Sequence, residues 1–170
     1  MTEIFSPPFS YTDFIDTKKI KKLLIEKDNL KKIKIAILQG STVDELKNIL
    51  ELFLLNDGFE PIFYVSDYNR YYEETLFPNE KLNEFSPDIA YLHITNKNIT
   101  KYPIISDSKD QINEKIKYEI DKFESIWQAV QKNFSCHLIQ NNFEYPFTRF
   151  LGSYDTLSNN GGVNYINKIN

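Results

Sequence analysis

The chain has 170 residues, of which 41% are hydrophobic and 15% aromatic, so it is long and apolar enough to bury one substantial core. Its net charge of −4 comes from interspersed acids and bases without a basic stripe, which argues against nucleic acid as a partner. The single cysteine, Cys136, excludes an internal disulfide, and the chain lacks a signal peptide and an apolar run of membrane-spanning length, so we expect a cytoplasmic protein without membrane contact.

Predicted strands and helices alternate along the chain. In chain order, the hydrophobic spacing predicts an extended arm (1–16), a short helix (17–27), a strand (33–38), a helix (43–56), a strand (59–65), a loop that becomes a helical turn (66–77), a strand (89–94), a long helix (107–133), a strand (135–139) and the start of another helix (163–169). This alternation indicates an α/β fold, a flavodoxin-like three-layer sandwich with a mostly parallel sheet. We divide the chain into an arm with a short helix (1–30) and an α/β domain (31–170).

The polar loops of this predicted sheet gather at one edge. In parallel α/β sheets, ligands bind beyond the carboxyl ends of the strands, at the topological switch point. Four loops lie there and are rich in hydroxyl, amide or charged side chains: 39–42, 66–71, 95–98 and 140–144. The connections at the opposite edge are plain turns, so we expect the functional site at the carboxyl edge.

The first of these loops joins a strand to a helix through Gln39-Gly40-Ser41-Thr42. Such a junction brings backbone N–H groups and a side-chain oxygen to a helix N-terminus, which favours negative charge. Alternatively, Ser41 or Thr42 satisfies the first N–H groups of the helix, with Thr42 and Glu45 forming a capping box. The sequence leaves both interpretations open.

The four loops, taken in order, resemble the N-terminal domain of FkbH-like proteins. The matching segments are Ile-Leu-Gln-Gly-Ser-Thr, Ser-Asp-Tyr-Asn-Arg-Tyr, Pro-Asp-Ile-Ala-Tyr-Leu-His-Ile-Thr-Asn-Lys-Asn-Ile and Ile-Gln-Asn-Asn-Phe-Glu. The resemblance implies an SGNH-hydrolase-like fold. In complete family members this domain precedes a HAD-type phosphatase-like domain that handles a glyceryl phosphate donor and an acyl carrier protein, and many relatives act in polyketide or surface-glycan biosynthesis.

The sequence departs from that family in two ways. It has no Asp-x-Asp-x-Thr run, the HAD signature, and no late Asp-x-x-His, the pair that SGNH hydrolases carry near their C-terminus. We therefore expect an incomplete domain that lacks at least a final strand and helix, or a degenerate one.

The resemblance assigns catalytic roles to three residues. Ser41 matches the nucleophile of SGNH hydrolases, and Gly40 and Asn96 are the expected oxyanion donors. The loop that normally supplies a second-block glycine carries Ser66 and Asp67 instead, and no histidine matches the triad base.

Further polar residues are candidates for substrate binding, each with a structural alternative. His93 is either a base facing the crevice or a core histidine, Asp67 orients a ligand or Arg70 or caps its loop, and Arg149 pairs with Asp67 or Glu144 or binds a carboxylate or phosphate. The candidates are Thr42, Asp67, Tyr68, Arg70, His93, Asn98, Asn141, Asn142 and Arg149. No His, Cys or Asp spacing indicates a metal site, and we expect no cofactor.

Three functions are compatible with these residues. The first is an esterase-like domain acting on an acyl or glyceryl ester through Ser41. The second is a non-catalytic module that holds a carrier-linked or phosphorylated substrate, with an acyl carrier protein and a downstream HAD-type domain as partners. The third is a purely structural flavodoxin-like fold, whose first loop is short for phosphate binding.

Overall fold

The structure, a computed structural model, describes residues 9, 14, 17–26 and 29–170. Its elements are α1 (Thr17–Ile25), β1 (Lys31–Gln39), α2 (Asp44–Asn56), β2 (Phe59–Val65), α3 (Tyr71–Leu76), α4 (Glu80–Phe85), β3 (Ile89–His93), a 3₁₀ turn (Asn96–Asn98), α5 (Lys109–Phe134), β4 (His137–Gln140), a second 3₁₀ turn (Gly152–Thr156) and α6 (Gly162–Ile169). Within the described residues, no helix is both long enough and apolar enough to cross a membrane.

Four parallel strands form one sheet in the order β2-β1-β3-β4. Ile37 of β1 lies opposite Val65 on one side and Tyr91 on the other. The chain passes from β1 to β2 on one side and then crosses to β3 on the other, so the topological switch point lies between β1 and β3. The predicted α/β, flavodoxin-like architecture is confirmed.

Both faces of the sheet are covered by helices, because successive strand residues point to opposite faces. On one face Leu38 and Leu92 pack against Ile126 and Val130 of the long helix α5. On the other face Ile37 packs with Val43 and Leu46 at the start of α2. A third cluster joins α1 to α2 through Leu24, Leu52 and Leu55.

The observed elements differ from the predicted ones in several places. Helix α4 was not predicted, because Pro78 breaks the preceding helix; Asn79 then starts a new one by accepting a hydrogen bond from the Leu82 N–H at 2.8 Å. Trp127 of α5 follows the helical spacing of the buried residues but is 42% exposed, and its indole N–H donates to Gln140 Oε1 at 2.7 Å.

The ends of the chain show further differences. At the start of β4, His137 is exposed although it lies in an apolar segment, whereas Cys136 is half-buried against the core. Most of the predicted arm and the end of the predicted first helix lie outside the described residues. Of the arm, Phe9 is described and packs edge-on against Phe53 of α2, with ring centres 5.2 Å apart.

Candidate functional site

Gly40 joins the carboxyl end of β1 to that of β3. Any other residue at this position would force neighbouring atoms to move. The Gly40 N–H donates to the His93 carbonyl at 2.7 Å. A Cβ added to Gly40 would lie 2.6 Å from Asn98 Oδ1, closer than real Cβ atoms come to any neighbour. Gly40 therefore permits the two strand ends to approach, because a glycine has no Cβ to meet the Asn98 side chain.

Asn98 is the centre of the hydrogen-bond network at the switch point. Its side chain is buried, and its Nδ2 donates to the Gly40 carbonyl and to Asn69 Oδ1, both at 3.0 Å. Its Oδ1 accepts from the Thr95 N–H at 2.8 Å. Asn69 adopts a left-handed φ of 57°, and its N–H donates to the Gln39 carbonyl at 3.1 Å. One amide thus ties together the loops after β1, β2 and β3.

Ser41 and Thr42 do not cap α2. The N-cap is Val43, with no side-chain cap hydrogen bond, and the helix begins at Asp44, so the predicted capping box of Thr42 and Glu45 is wrong. The alternative explanation for the hydroxyl pair is thereby removed. Within the described residues the half-buried Ser41 hydroxyl makes no hydrogen bond, and Thr42 is exposed.

The predicted oxyanion donors are bonded to other protein groups. The Gly40 N–H is taken by His93, as described above. Asn96 donates through Nδ2 to the Tyr145 carbonyl at 3.3 Å, and its backbone N–H donates to Glu144 Oε2 at 3.1 Å. Asn98, and not Asn96, is the asparagine that contacts Gly40.

His93 lies at the carboxyl end of β3 on the α2 side of the sheet. Its Nδ1 is 3.2 Å from the Tyr91 hydroxyl, and the two rings are tilted against each other. Burial lowers the pKa of His93, although the charge of Glu144 and a hydrogen bond with Asn141 act in the opposite direction. No hydrogen bond joins His93 to Ser41 among the described residues, so the two do not form a nucleophile–base pair in this structure.

The buried side chain of Glu74 fixes the loop after β2 by hydrogen bonds. This buried carboxylate accepts from the Asp67 N–H at 3.0 Å and from the Tyr64 hydroxyl at 2.6 Å, and burial together with Glu74 raises the pKa of Tyr64 to about 12. Asp67 and Arg70 approach to 3.7 Å on the surface, where such a pair contributes little. Tyr68 is exposed beside them.

The candidates from the last loop divide into one bonded residue and two exposed ones. The Asn141 side chain accepts from the Ile94 N–H at 3.0 Å and donates to the Ile94 carbonyl at 2.7 Å, extending the strand pairing. Asn142 and Arg149 are exposed. Among the described residues Arg149 forms no ion pair with Asp67 or Glu144, contrary to one of the predicted alternatives.

A cavity that the sequence did not predict lies behind Asn98. It has a volume of about 600 Å³ and is bounded by α3, the turn at Asn96–Asn98 and α5. Lys122 of α5 reaches it, with Nζ 2.9 Å from the Asn98 carbonyl and 3.7 Å from Glu119 Oε2. Burial lowers the pKa of Lys122, and Glu119 opposes that shift. In residues 9, 14, 17–26 and 29–170, no group of three His, Cys, Asp or Glu side chains is placed to hold a metal ion.

Comparison with known proteins supports the fold. No protein-family model matches this chain, and no curated protein sequence matches it. Among solved structures, the N-terminal part of protein BF1531 from Bacteroides fragilis, containing a phosphatase domain and complexed with Mg, is similar with a TM-score of 0.67 and 18% identity. The similarity covers 92% of this chain and 40% of that chain, so this chain spans less than half the length of its structural neighbour.

Proposed function

We propose that this chain is an FkbH-like N-terminal module that holds a substrate for a phosphatase-type domain and does not itself cleave an ester. Its sequence resembles that family at the four carboxyl-edge loops. The similar fold of BF1531 occurs in a chain described as containing a phosphatase domain. In this proposal the substrate is a small molecule, free or linked to an acyl carrier protein.

The observation that carries the non-catalytic role is the bonding of the switch-point donors. Ester cleavage needs N–H groups directed at the position where the oxyanion forms. The Gly40 N–H donates to His93, and the Asn98 amide donates to Gly40 and Asn69. Ser41 also has no histidine within hydrogen-bond distance in the described residues, although a serine nucleophile requires a base.

An exposed apolar surface supports association with another domain. Phe147 and Phe150 are 103% and 87% exposed, and three aliphatic side chains, in the loop before α5 and after the second 3₁₀ turn, are also exposed. We call this the aromatic surface; it comprises Ile104, Ile105, Phe147, Phe150 and Leu157. Large apolar side chains that a soluble protein leaves exposed together are candidates for an interaction site.

The segment after the second 3₁₀ turn, which carries Leu157 of the aromatic surface, is held by hydrogen bonds to α6 and to the loop before α5. Asp155 is buried and its Oδ2 accepts from the Val163 N–H at 2.8 Å, which fixes the segment to the start of α6. Asn160 Nδ2 donates to the Ile104 carbonyl at 2.7 Å and joins the segment to the loop before α5. Because the neighbour's fold is accompanied by a phosphatase domain, we assign that type of domain as the occupant of this surface.

Calorimetric titration of this chain with the phosphatase-type domain encoded in the same gene or beside it tests the proposal. We expect binding that is weakened at least about tenfold when Phe147 and Phe150 are both changed to Ser. Phe77→Ser is the matched control, because Phe77 is also highly exposed, at 80%, but follows α3. Equal loss with the control, self-association through the aromatic surface, or the absence of any such domain at that locus would contradict the proposal.

A second candidate, an esterase acting on an acyl or glyceryl ester, is favoured by one observation. The Ser41 hydroxyl is not used as a helix cap, and the N-terminus of α2 beside it carries no side-chain cap. Backbone N–H groups there can stabilise negative charge. This candidate requires ester hydrolysis that disappears in Ser41→Ala.

A further inference from the structure

The cavity between α3 and α5 has the size of a small-molecule site and is open to solvent on one side. Its volume of about 600 Å³ falls within the usual range of about 300–1,000 Å³ for such sites. The residues that carry the chemistry of its wall are Asn69, Tyr72, Lys97, Tyr118, Asp121 and Lys122. Of the residues predicted from the sequence to bind substrate, only Asn98 lines it.

The charges of the cavity wall balance one another. Lys97 and Lys122 are equalled in number by Glu73 and Asp121, all four of which line the cavity, and Asp121 is itself paired with Lys117 at 3.0 Å. The ammonium of Lys122 also lies 3.7 Å from the carboxylate of Glu119, which is fully buried. A phosphate or carboxylate entering the cavity would therefore find no surplus of positive charge, and a neutral ligand is favoured over an anion.

The wall offers a fixed hydrogen-bond donor in Lys122. An ammonium has three N–H bonds; one is directed at the Asn98 carbonyl at 2.9 Å, and another faces Glu119. Glu119 Oε1 accepts hydrogen bonds from Thr100 and Lys101, whereas Oε2 is buried with no hydrogen-bond partner among the described residues. The negative charge at Oε2 attracts the ammonium of Lys122 and holds it in place. One N–H of this lysine remains for a ligand oxygen.

Aromatic rings and further polar groups complete the wall. Tyr72 and Tyr118 contribute ring surface together with a hydroxyl each, and Lys101 Nζ lies 3.6 Å from the centre of the Tyr118 ring, which steadies it. Thr100 and Ser125 add hydroxyl oxygens that can accept hydrogen bonds, since their own protons are donated to Glu119 and to the Lys122 carbonyl. Such a combination can contact both the C–H face and the hydroxyl groups of a sugar.

We propose that this cavity binds a neutral polyhydroxylated ligand of the sugar class. The C–H face of the ligand packs against the tyrosine rings, and its hydroxyl groups exchange hydrogen bonds with Lys122, Asn69 and Asp121. The inference rests on the proposed holding function and names the part of the substrate that the cavity binds, a neutral sugar moiety; a phosphate group on that substrate stays outside the cavity. Sugar binding involves the α3–α5 cavity, whereas docking of the phosphatase-type domain involves the aromatic surface. Either proposal can therefore be wrong without the other.

The test is a titration of the isotope-labelled chain with glucose, N-acetylglucosamine and glucose phosphate, followed by amide chemical shifts. We expect millimolar binding of at least one neutral sugar, with shifts concentrated at Asn69, Lys97 and Thr100, and no tighter binding of the phosphorylated form. Since no phosphatase-type domain is added, the outcome is independent of docking.

Variants identify the site. Tyr118→Ala weakens sugar binding about tenfold or more, because it removes a ring from the wall. Tyr118 is partly exposed, so this change leaves the fold intact, and Tyr154→Ala, at a more exposed tyrosine outside the cavity, leaves binding unchanged. Shifts that avoid the cavity, no binding of any neutral sugar, or clearly tighter binding of glucose phosphate would overturn the inference.

Discussion

The side-chain amide of Asn98 donates a hydrogen bond to the backbone carbonyl of Gly40 at 3.0 Å, across 58 positions of sequence. This bond joins the ends of the two central strands, β1 and β3, at the topological switch point. The same amide also donates to Asn69 in the loop after β2. Asn98 therefore acts as a structural centre of the edge where the sequence predicted a site.

Asn98→Ala is expected to destabilise the protein by about 2–3 kcal/mol, because the Gly40 carbonyl and the Thr95 N–H lose buried partners. Urea unfolding measures the change. Asn142→Ala is the control, since Asn142 is exposed and its side chain is not part of the network; it should shift stability by less than about 0.5 kcal/mol. Equal effects of the two substitutions would contradict the central position of Asn98.

Gly40→Ala is expected to cost about 1–3 kcal/mol, because the new methyl group would meet the Asn98 side chain. Combining it with Asn98→Ala provides a sharper test. The methyl group then has space, so the double variant should lose less stability than the sum of the two single variants. If the stability losses of the two single variants simply add in the double variant, the contact between Gly40 and Asn98 is not the cause of the loss in Gly40→Ala.

Glu119→Ala is expected to destabilise the protein by about 3–5 kcal/mol, because it leaves the largely buried ammonium of Lys122 without its counter-charge. It also removes the acceptor of the Thr100 and Lys101 N–H groups. Thermal or urea unfolding measures the loss. Glu124→Ala, an exposed glutamate on the same helix, should be nearly neutral.

Stability is expected to fall as the pH drops below the ordinary His pKa of 6.5, in part because of His93. Burial lowers the pKa of His93 in the folded state, so the unfolded chain binds more protons in the interval between the two pKa values. Stability from this source is present above that interval and decreases as the pH falls through it. Urea midpoints between about pH 8 and pH 5 should therefore change less in His93→Gln than in the unaltered protein. An unchanged slope would rule out His93 as the source.

The strands and long helices were predictable because their signal is local. The apolar run of β1 and the helical spacing of α5 each lie within one continuous segment, and a buried sheet requires both. The first residue of α2 was harder to predict. Thr42 and Glu45 have the spacing of a capping box, yet the helix begins one residue later than that box requires. Local motifs give the type of an element more surely than its end.

The site was only partly predictable. The crevice loops do meet at Gly40, Asn69 and Asn98, as parallel topology demands. The choice of Asn98 over Asn96 depends on the pitch of a 3₁₀ turn, which the sequence does not specify. The cavity was missed because its wall joins α3 to α5, whose cavity-lining residues Tyr72 and Tyr118 are far apart in sequence and share no motif.

The hydrolysis of a small activated ester, measured for the unaltered chain and for Ser41→Ala, tests the central claim most directly. A non-catalytic holding module predicts that both proteins hydrolyse the ester at the same rate, equal to that of buffer, with no burst of released product. A rate or burst in the unaltered chain that is lost in Ser41→Ala would contradict it and would assign the catalytic serine.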